Sequence, residues 1–133
     1  ITHMKKIDHL GIAVADLEAA EKIFTDVIGT KPYKREEVAS EGVVTSFFKT
    51  GESKIELLQS TSEDGPIAKH ISKRGEGLHH IAFHVEELEG EIAELESKGY
   101  RCISGPKAGA DGKRIAFLHP SDTAKVLVEL CEG

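Results

Sequence analysis

Aromatic residues are scarce in this sequence, at 5% of 133 residues, and tryptophan is absent. Cysteine is also rare: Cys102 and Cys131 stand far apart without a CxxC motif, which excludes a disulfide framework and favours a reducing compartment. No apolar run approaches the roughly 18 residues that a transmembrane helix needs. The first residues lack the basic-then-apolar order of a signal peptide. We therefore expect a soluble, cytoplasmic protein that does not bind membranes.

Positive charge is in the minority. The chain has 17 Lys and Arg residues against 23 Asp and Glu residues, for a formal net charge of −6. This balance argues against non-specific binding of nucleic acid, and an anionic ligand would need a local basic patch. The length suits one compact domain or two half-domains that share a core. We expect residues 1–3, which precede Met4, to be a cloning remnant, and we leave His3 out of any site.

Two segments of the sequence each have a counterpart with a similar pattern later in the chain. The stretch HLGIAV at 9–14 is matched by HIAFHV at 80–85, which is 71 positions later (80 − 9). The stretch KIELL at 54–58 is matched by LVELC at 127–131, which is 73 positions later (127 − 54). Each copy therefore contributes one histidine and one glutamate at corresponding places.

The periodicity around these segments predicts the same order of elements, βαβββ, in each half. Asp16 suits the N-cap of an amphipathic helix that ends at Gly29, and Pro66 suits the first turn of a short helix between the halves. We predict a single α+β domain over 4–133, with module one at about 5–60, a linker helix at about 61–77 and module two at about 78–132. The predicted strands are 7–14, 33–38, 43–48, 54–59, 78–85, 100–103, 113–118 and 126–131.

Strand alternation places the repeated polar residues on one kind of face. Residues two apart in a strand share a face, so His9 and His80 point away from the large apolar residues that follow them. Glu56 and Glu129 likewise lie opposite their apolar neighbours. Two imidazoles and two carboxylates that converge would suit a divalent ion of intermediate hardness, with open positions for water or substrate. The same alternation excludes Gln59 from this set.

These residues and the duplicated frame resemble the vicinal oxygen chelate (glyoxalase/bleomycin resistance/dioxygenase) superfamily and, within it, the methylmalonyl-CoA epimerase family. The resemblance implies two βαβββ modules that form a curved, mostly antiparallel sheet around a metal site. The metal ligands that it implies are His9, Glu56, His80 and Glu129, the same four that strand alternation selects. The stretches that carry it are DHLGIAV at 8–14, KIELL at 54–58, PIAK at 66–69, GEGLHHIAF at 75–83, AFLHP at 116–120 and LVEL at 127–130.

The reaction that the resemblance implies is the interconversion of the 2R and 2S epimers of methylmalonyl-CoA, in propionate metabolism. The thioester carbonyl and the carboxylate would chelate the ion, which stabilises the enolate formed when the α-proton leaves. Inversion needs an acid-base group on each face of the carbon, and Glu129 is the candidate for one face. For the other, the family has a glutamate two residues before Gly-Val, where this chain has Ser40. We predict that the neighbouring Glu41 takes this role, with Glu37, a water or the second metal-bound acid as alternatives.

The resemblance also implies a cofactor and partners. The cofactor is one divalent ion, with Co²⁺ expected to be the most active and Zn²⁺, Ni²⁺, Mn²⁺ or Mg²⁺ as alternatives, and the chain is expected to form a homodimer. A substrate that is an acyl-CoA thioester carries phosphates, so an acidic protein must offer cations near the site. The basic residues available for this are Lys73, Arg74, Lys107, Lys113 and Arg114.

Two other functions stay open. A glyoxalase I type isomerase (lactoylglutathione lyase) shares the fold and a His/Glu/His/Glu site, but residues 118–122 lack the Asp-Pro-x-Gly that typically precedes the last strand of those enzymes. A metal-free small-molecule binding protein of the same fold would not need four intact ligands, and all four are present. Dioxygenases of the superfamily generally bind iron with two histidines and one glutamate, so Glu56 disfavours that class.

Overall fold

The structure, a computed structural model, describes residues 4–133, so the expected cloning remnant at 1–3 lies outside the described residues. Along the described chain the order is βαβββ, a linker helix and a second βαβββ, as the periodicity predicts. The helices are α1 (Leu17–Ile28), α2 (Pro66–Arg74) and α3 (Leu88–Ser97). The strands are β1 (Met4–Ala13), β2 (Lys34–Val38), β3 (Val43–Thr50), β4 (Ser53–Ser60), β5 (Gly77–Val85), β6 (Cys102–Ala108), β7 (Arg114–Leu118) and β8 (Val128–Glu132).

The described chain divides into two compact units, which we call unit A (residues 4–9 with 80–133) and unit B (residues 10–79). In unit A the strand order is β1-β5-β8-β7-β6, and in unit B it is β2-β3-β4-β1. The first part of β1 belongs to unit A and its last part to unit B. His9 therefore lies in the same compact unit as His80 and Glu129, although it comes from the first sequence module.

Most strand pairs are antiparallel. In unit B, β2 pairs with β3 and β3 pairs with β4 in antiparallel register. In unit A, β6 with β7 and β7 with β8 are antiparallel, and β5 with β8 is parallel. The predicted α+β class with largely antiparallel pairing is confirmed.

Helix α1 begins and ends at the predicted caps. Asp16 has extended backbone angles, and its side chain accepts a hydrogen bond from the Ala19 amide, which satisfies one of the open donors of the first turn. Gly29 closes the helix with φ of +91°, a conformation that costs glycine little. Within residues 4–133, no helix is both long and apolar enough to cross a membrane.

Each unit buries apolar residues on both faces of its strands. In unit B, Leu57 packs in a cluster with α1, whereas the next residue, Leu58, packs in a cluster with α2. In unit A, Leu130 packs in a cluster with α3, whereas the next residue, Cys131, packs on the opposite side. The strand faces are therefore those that the alternation predicts, but the face away from α1 and α3 is buried as well.

Strand β6 departs from the predicted strand at 100–103, because it starts two residues later and runs to Ala108. Its register against β7 shifts twice, so the pairing is irregular. A side chain at Gly105 would collide with the carbonyl oxygen of Ile115, so glycine allows the two backbones to approach closely. Such pairing depends on the partner strand, which is why local periodicity underestimates β6.

Candidate metal centre

Three strands of unit A bring His9, His80 and Glu129 together. β1 supplies His9, β5 supplies His80 and β8 supplies Glu129, and their residues are only 4%, 8% and 4% exposed. The pairing of β8 with its neighbours places Ala82 on one side of Glu129 and Phe117 on the other.

The donor atoms of these three side chains face one another. The Nε2 atoms of His9 and His80 are 3.0 Å apart, and the two rings meet edge to face. Glu129 places Oε1 at 3.2 Å from Nε2 of His80 and Oε2 at 3.6 Å from Nε2 of His9. Separations of this size are expected when nitrogen and oxygen ligands surround one ion at about 2.0–2.2 Å.

The protonation of His9 also suits a cation. Its Nδ1 lies 2.7 Å from Oδ2 of Asp8, and both residues are buried. A carboxylate accepts hydrogen bonds, so Nδ1 carries the proton, and in the neutral ring the lone pair is then on Nε2. That lone pair points at the second imidazole and at a carboxylate, and a cation would stabilise all three. The donor set therefore fits a divalent metal ion.

Glu129 is held in its charged form. Burial disfavours ionisation of this carboxyl, but the adjacent imidazoles of His80 and His9 outweigh that effect and lower the pKa of Glu129 to about 2. Metal ligands must be deprotonated to bind. The carboxyl is therefore in the state that metal binding requires.

The fourth predicted ligand, Glu56, lies on β4 in unit B. It is 4% exposed and stands opposite Phe47 in the antiparallel pairing of β3 with β4. Its neighbour Leu57 packs with α1, so Glu56 is on the other face of the strand, as predicted. Its role as a ligand stays a prediction.

The predicted second base, Glu41, lies in a short 3₁₀ turn (Ala39–Glu41) between β2 and β3 of unit B. Its side chain is partly exposed. The following Gly42 has φ of +64°, and its amide donates to the carbonyl of Ala39. The turn therefore fixes the backbone beside Glu41, while its catalytic role stays a prediction.

The cations predicted to bind CoA differ in their surroundings. Lys73 and Arg74 are exposed in the last turn of α2. Lys113 donates to the carbonyl of Gly133. Arg114 forms ion pairs with two acids of unit A, which raise its pKa. The contacts of Lys113 and Arg114 are thus within the protein, and contact of these four residues with CoA stays a prediction.

Lys107 contacts an aromatic ring that packs against a candidate ligand. Its Nζ is 5.7 Å from the centroid of the Phe117 ring. The same ring packs edge to face against His80, with the centroids 6.0 Å apart. Lys107 therefore neighbours a residue that contacts a candidate ligand.

Two further residues, neither of them a predicted ligand, also belong to the centre. Asp8 and Cys131 lie with His9 in a buried group whose potential ligand atoms are within 4.8 Å of one another. A carboxylate directly before a candidate ligand histidine is a visible signal in the sequence. The sequence gives no comparable signal that Cys131 approaches Asp8, because β1 and β8 lie at opposite ends of the chain.

Two βαβββ modules and a buried group of two imidazoles and a carboxylate define a vicinal oxygen chelate protein with a candidate metal site. The chain matches the model of the Glyoxalase/Bleomycin resistance protein/Dioxygenase superfamily over residues 8–117. It belongs to that superfamily, as the sequence motifs predict.

The most informative relatives match along nearly the full chain. The uncharacterized protein YqjC of Bacillus subtilis is 38% identical, over 97% of this chain and 93% of its own length. The ethylmalonyl-CoA/methylmalonyl-CoA epimerase of Cereibacter sphaeroides is 37% identical, over 94% and 96%. A solved structure of a methylmalonyl-CoA epimerase in complex with methylmalonyl-CoA and NH4⁺ has 35% identity, 98% and 96% coverage and a TM-score of 0.92. The predicted resemblance to methylmalonyl-CoA epimerases is confirmed.

Proposed function

We propose that this chain is an isomerase that epimerises methylmalonyl-CoA at carbon 2. The observation that carries the proposal is the buried group of His9, His80 and Glu129 in a chain whose relatives include epimerases of this substrate. A glyoxalase I reaction could use the same donors, but the relatives that the chain matches along nearly its full length include epimerases of methylmalonyl-CoA.

We propose that His9, His80 and Glu129, together with Glu56, hold one divalent ion. When bound, such an ion would supply Lewis-acid polarisation of the thioester carbonyl of the substrate. The contribution of the protein is to bury the donors and fix their direction, because a dry and ordered site strengthens electrostatic interactions. The low exposure of His9, His80 and Glu129 supports this role.

Proton transfer is the second contribution of the chain. The α-hydrogen of the substrate lies on a carbon between two carbonyl groups, and inversion requires removal from one face and delivery to the other. Glu129 is ionised, and its Oε2 is 3.6 Å from Nε2 of His9, beyond hydrogen-bond distance. We assign this oxygen to one face and the carboxyl of Glu41 to the opposite face. The two groups exchange roles in the reverse reaction.

The test compares substrates on one preparation of the protein. We expect epimerisation of methylmalonyl-CoA and exchange of its α-proton with deuterated solvent, and no turnover of the glutathione hemithioacetal of methylglyoxal. Stripping metal should abolish the exchange, and added Co²⁺ should restore it. Turnover of the hemithioacetal alone would contradict the proposal. Ethylmalonyl-CoA serves as a third substrate, because one extra methylene changes selectivity only modestly.

The assignment of Glu41 is tested by comparison with Glu37, the alternative acid four residues earlier in the chain. Glu41→Gln should retain metal and fold but slow epimerisation by about 10²- to 10⁴-fold, the usual effect of losing a general acid-base group. Glu37→Gln removes a nearby exposed carboxyl on β2 and is the matched control. Full activity in Glu41→Gln, or loss of activity only in Glu37→Gln, would remove Glu41 from the catalytic pair.

A further inference from the structure

We propose that Asp8 is a positioning residue that fixes the tautomer of His9 and so directs its Nε2 lone pair toward the metal site. Cys131 orients Asp8 in turn. Because His9 is a ligand in the proposed function, this role of Asp8 rests on that function.

The geometry places all three residues in contact inside unit A. Oδ2 of Asp8 is 2.7 Å from Nδ1 of His9, and Sγ of Cys131 is 3.5 Å from the same oxygen. Asp8 is 3% exposed, His9 4% and Cys131 is fully buried. A buried carboxylate keeps a fixed direction only where donors hold it, and here an imidazole N–H and a thiol do so from β1 and β8.

The physical effect follows from the imidazole ring. A neutral imidazole has one N–H and one lone pair, and the partner of one nitrogen decides which nitrogen is free to bind a metal. A carboxylate at Nδ1 keeps the proton there, orients the ring and raises the basicity of Nε2. The Nε2 of His9 faces His80 at 3.0 Å, so the selected lone pair points at the other candidate ligand.

An alternative is that Asp8, His9 and Cys131 themselves hold the ion. Two ligands of one ion at about 2.0–2.2 Å are separated by roughly 3 Å or more. The 2.7 Å contact of Asp8 with His9 is shorter and has the length of a charge-assisted hydrogen bond. The distances therefore favour a supporting role for Asp8 over ligation.

The first measurement is the affinity for Zn²⁺, determined by competition with a chromogenic chelator. We expect Asp8→Asn to weaken binding by about 10- to 100-fold, the usual cost of losing such a supporting carboxylate. The matched control is Glu91→Gln, which changes another buried acid of unit A, on α3, and should leave the affinity within about threefold. Cys131→Ala should weaken it less than Asp8→Asn, and Cys131→Ser, which keeps a donor, should restore it. Equal affinity for Asp8→Asn and wild type would overturn the proposal.

The second measurement is the tautomer of His9, observed by long-range ¹H–¹⁵N NMR correlations at pH 9, where an ordinary histidine is neutral. Wild-type protein, both metal-free and zinc-loaded, should carry the His9 proton on Nδ1, and metal-free Asp8→Asn should shift it toward Nε2. A wild-type proton on Nε2, or loss of the Nδ1 proton on zinc binding, would overturn the proposal even if Asp8→Asn fails to fold. The metal-free spectrum needs no substrate, so it is independent of whether the chain is an epimerase.

Discussion

Units A and B begin their main helices in the same way. The amide of Leu17 at the start of α1 donates to Oε1 of Gln59, and the amide of Leu88 at the start of α3 donates to Oε1 of Glu132, both at 2.6 Å. Gln59 and Glu132 are 73 positions apart (132 − 59), which is also the spacing of the repeated glutamates. The duplication therefore includes a contact that ties the end of the last strand to the start of the helix.

The two caps differ in charge and in support. In unit B, Gln59 is neutral, and Asp16 adds a second hydrogen bond to the first turn of α1. In unit A, Glu87 at the start of α3 makes no side-chain cap, and Glu132 also pairs with Arg114. In the described chain, the first turn of α3 in unit A is therefore capped by the charged side chain of Glu132 alone, whereas the first turn of α1 in unit B is capped by both Gln59 and Asp16.

The candidate chemistry is divided less evenly than the frame. Unit A contains three donors that face one another, and unit B contains Glu56 and Glu41, whose roles are predictions. Apolar alternation and caps determine the frame, so residues on the buried face away from α1 and α3 can differ between the units without loss of the fold. We therefore expect the two repeated glutamates to have unequal roles.

The largest difference is expected between Glu129→Gln and Glu56→Gln. Glu129 is both a proposed ligand and a proposed acid-base group, so its amide variant should lower turnover of methylmalonyl-CoA by about 10³-fold or more and weaken metal binding. Glu56→Gln keeps an oxygen ligand and should lower the metal affinity about 10-fold, with a smaller loss of turnover. Metal titration and turnover on both variants measure the difference. Equal losses would show that the glutamates share one duty.

A medium effect is expected when the two helix caps are removed. Gln59→Ala should lower the free energy of unfolding by about 1 kcal/mol, because one neutral cap is lost and Asp16 remains. Glu132→Ala should lower it by about 2 kcal/mol, because a hydrogen bond to a charged group is lost. Urea unfolding measures both. In the control measurement the metal affinity of Gln59→Ala should match wild type, since Gln59 is not among the predicted ligands. A larger loss for Gln59→Ala would reverse the comparison.

Some parts of the fold and of the candidate site can be predicted from the sequence, and others cannot. The caps at Asp16 and Gly29 and the faces of Glu56 and Glu129 follow from local rules, because capping and alternation involve residues close in the chain. The grouping of His9 with unit A cannot be predicted from local rules, because it depends on which strands β1 pairs with. The length of β6 and the contact of Cys131 with Asp8 also arise between distant segments.

The smallest effect is expected from one ion pair in each unit at acid pH. In unit A, hydrogen bonds from the side chain and backbone of Arg101 lower the pKa of Asp122 to about 2, and in unit B the hydrogen bond from Arg35 lowers the pKa of Glu21. A carboxyl whose pKa is lower in the folded state adds stability above its ordinary pKa, near 4, and loses it as pH falls. The contribution of Asp122 should therefore be lost between about pH 4 and pH 2.

Asp122→Asn should accordingly show a smaller fall in melting temperature than wild type between pH 4 and pH 2, and Glu21→Gln gives the matching measurement for unit B. Both effects should shrink in high salt, since exposed charges are screened. If the melting curve of Asp122→Asn ran parallel to that of wild type across this range, the pair with Arg101 would add no stability. Unit A would then gain no pH-dependent stability from this pair, and its dependence on the charged cap at Glu132 would be the sharper difference from unit B.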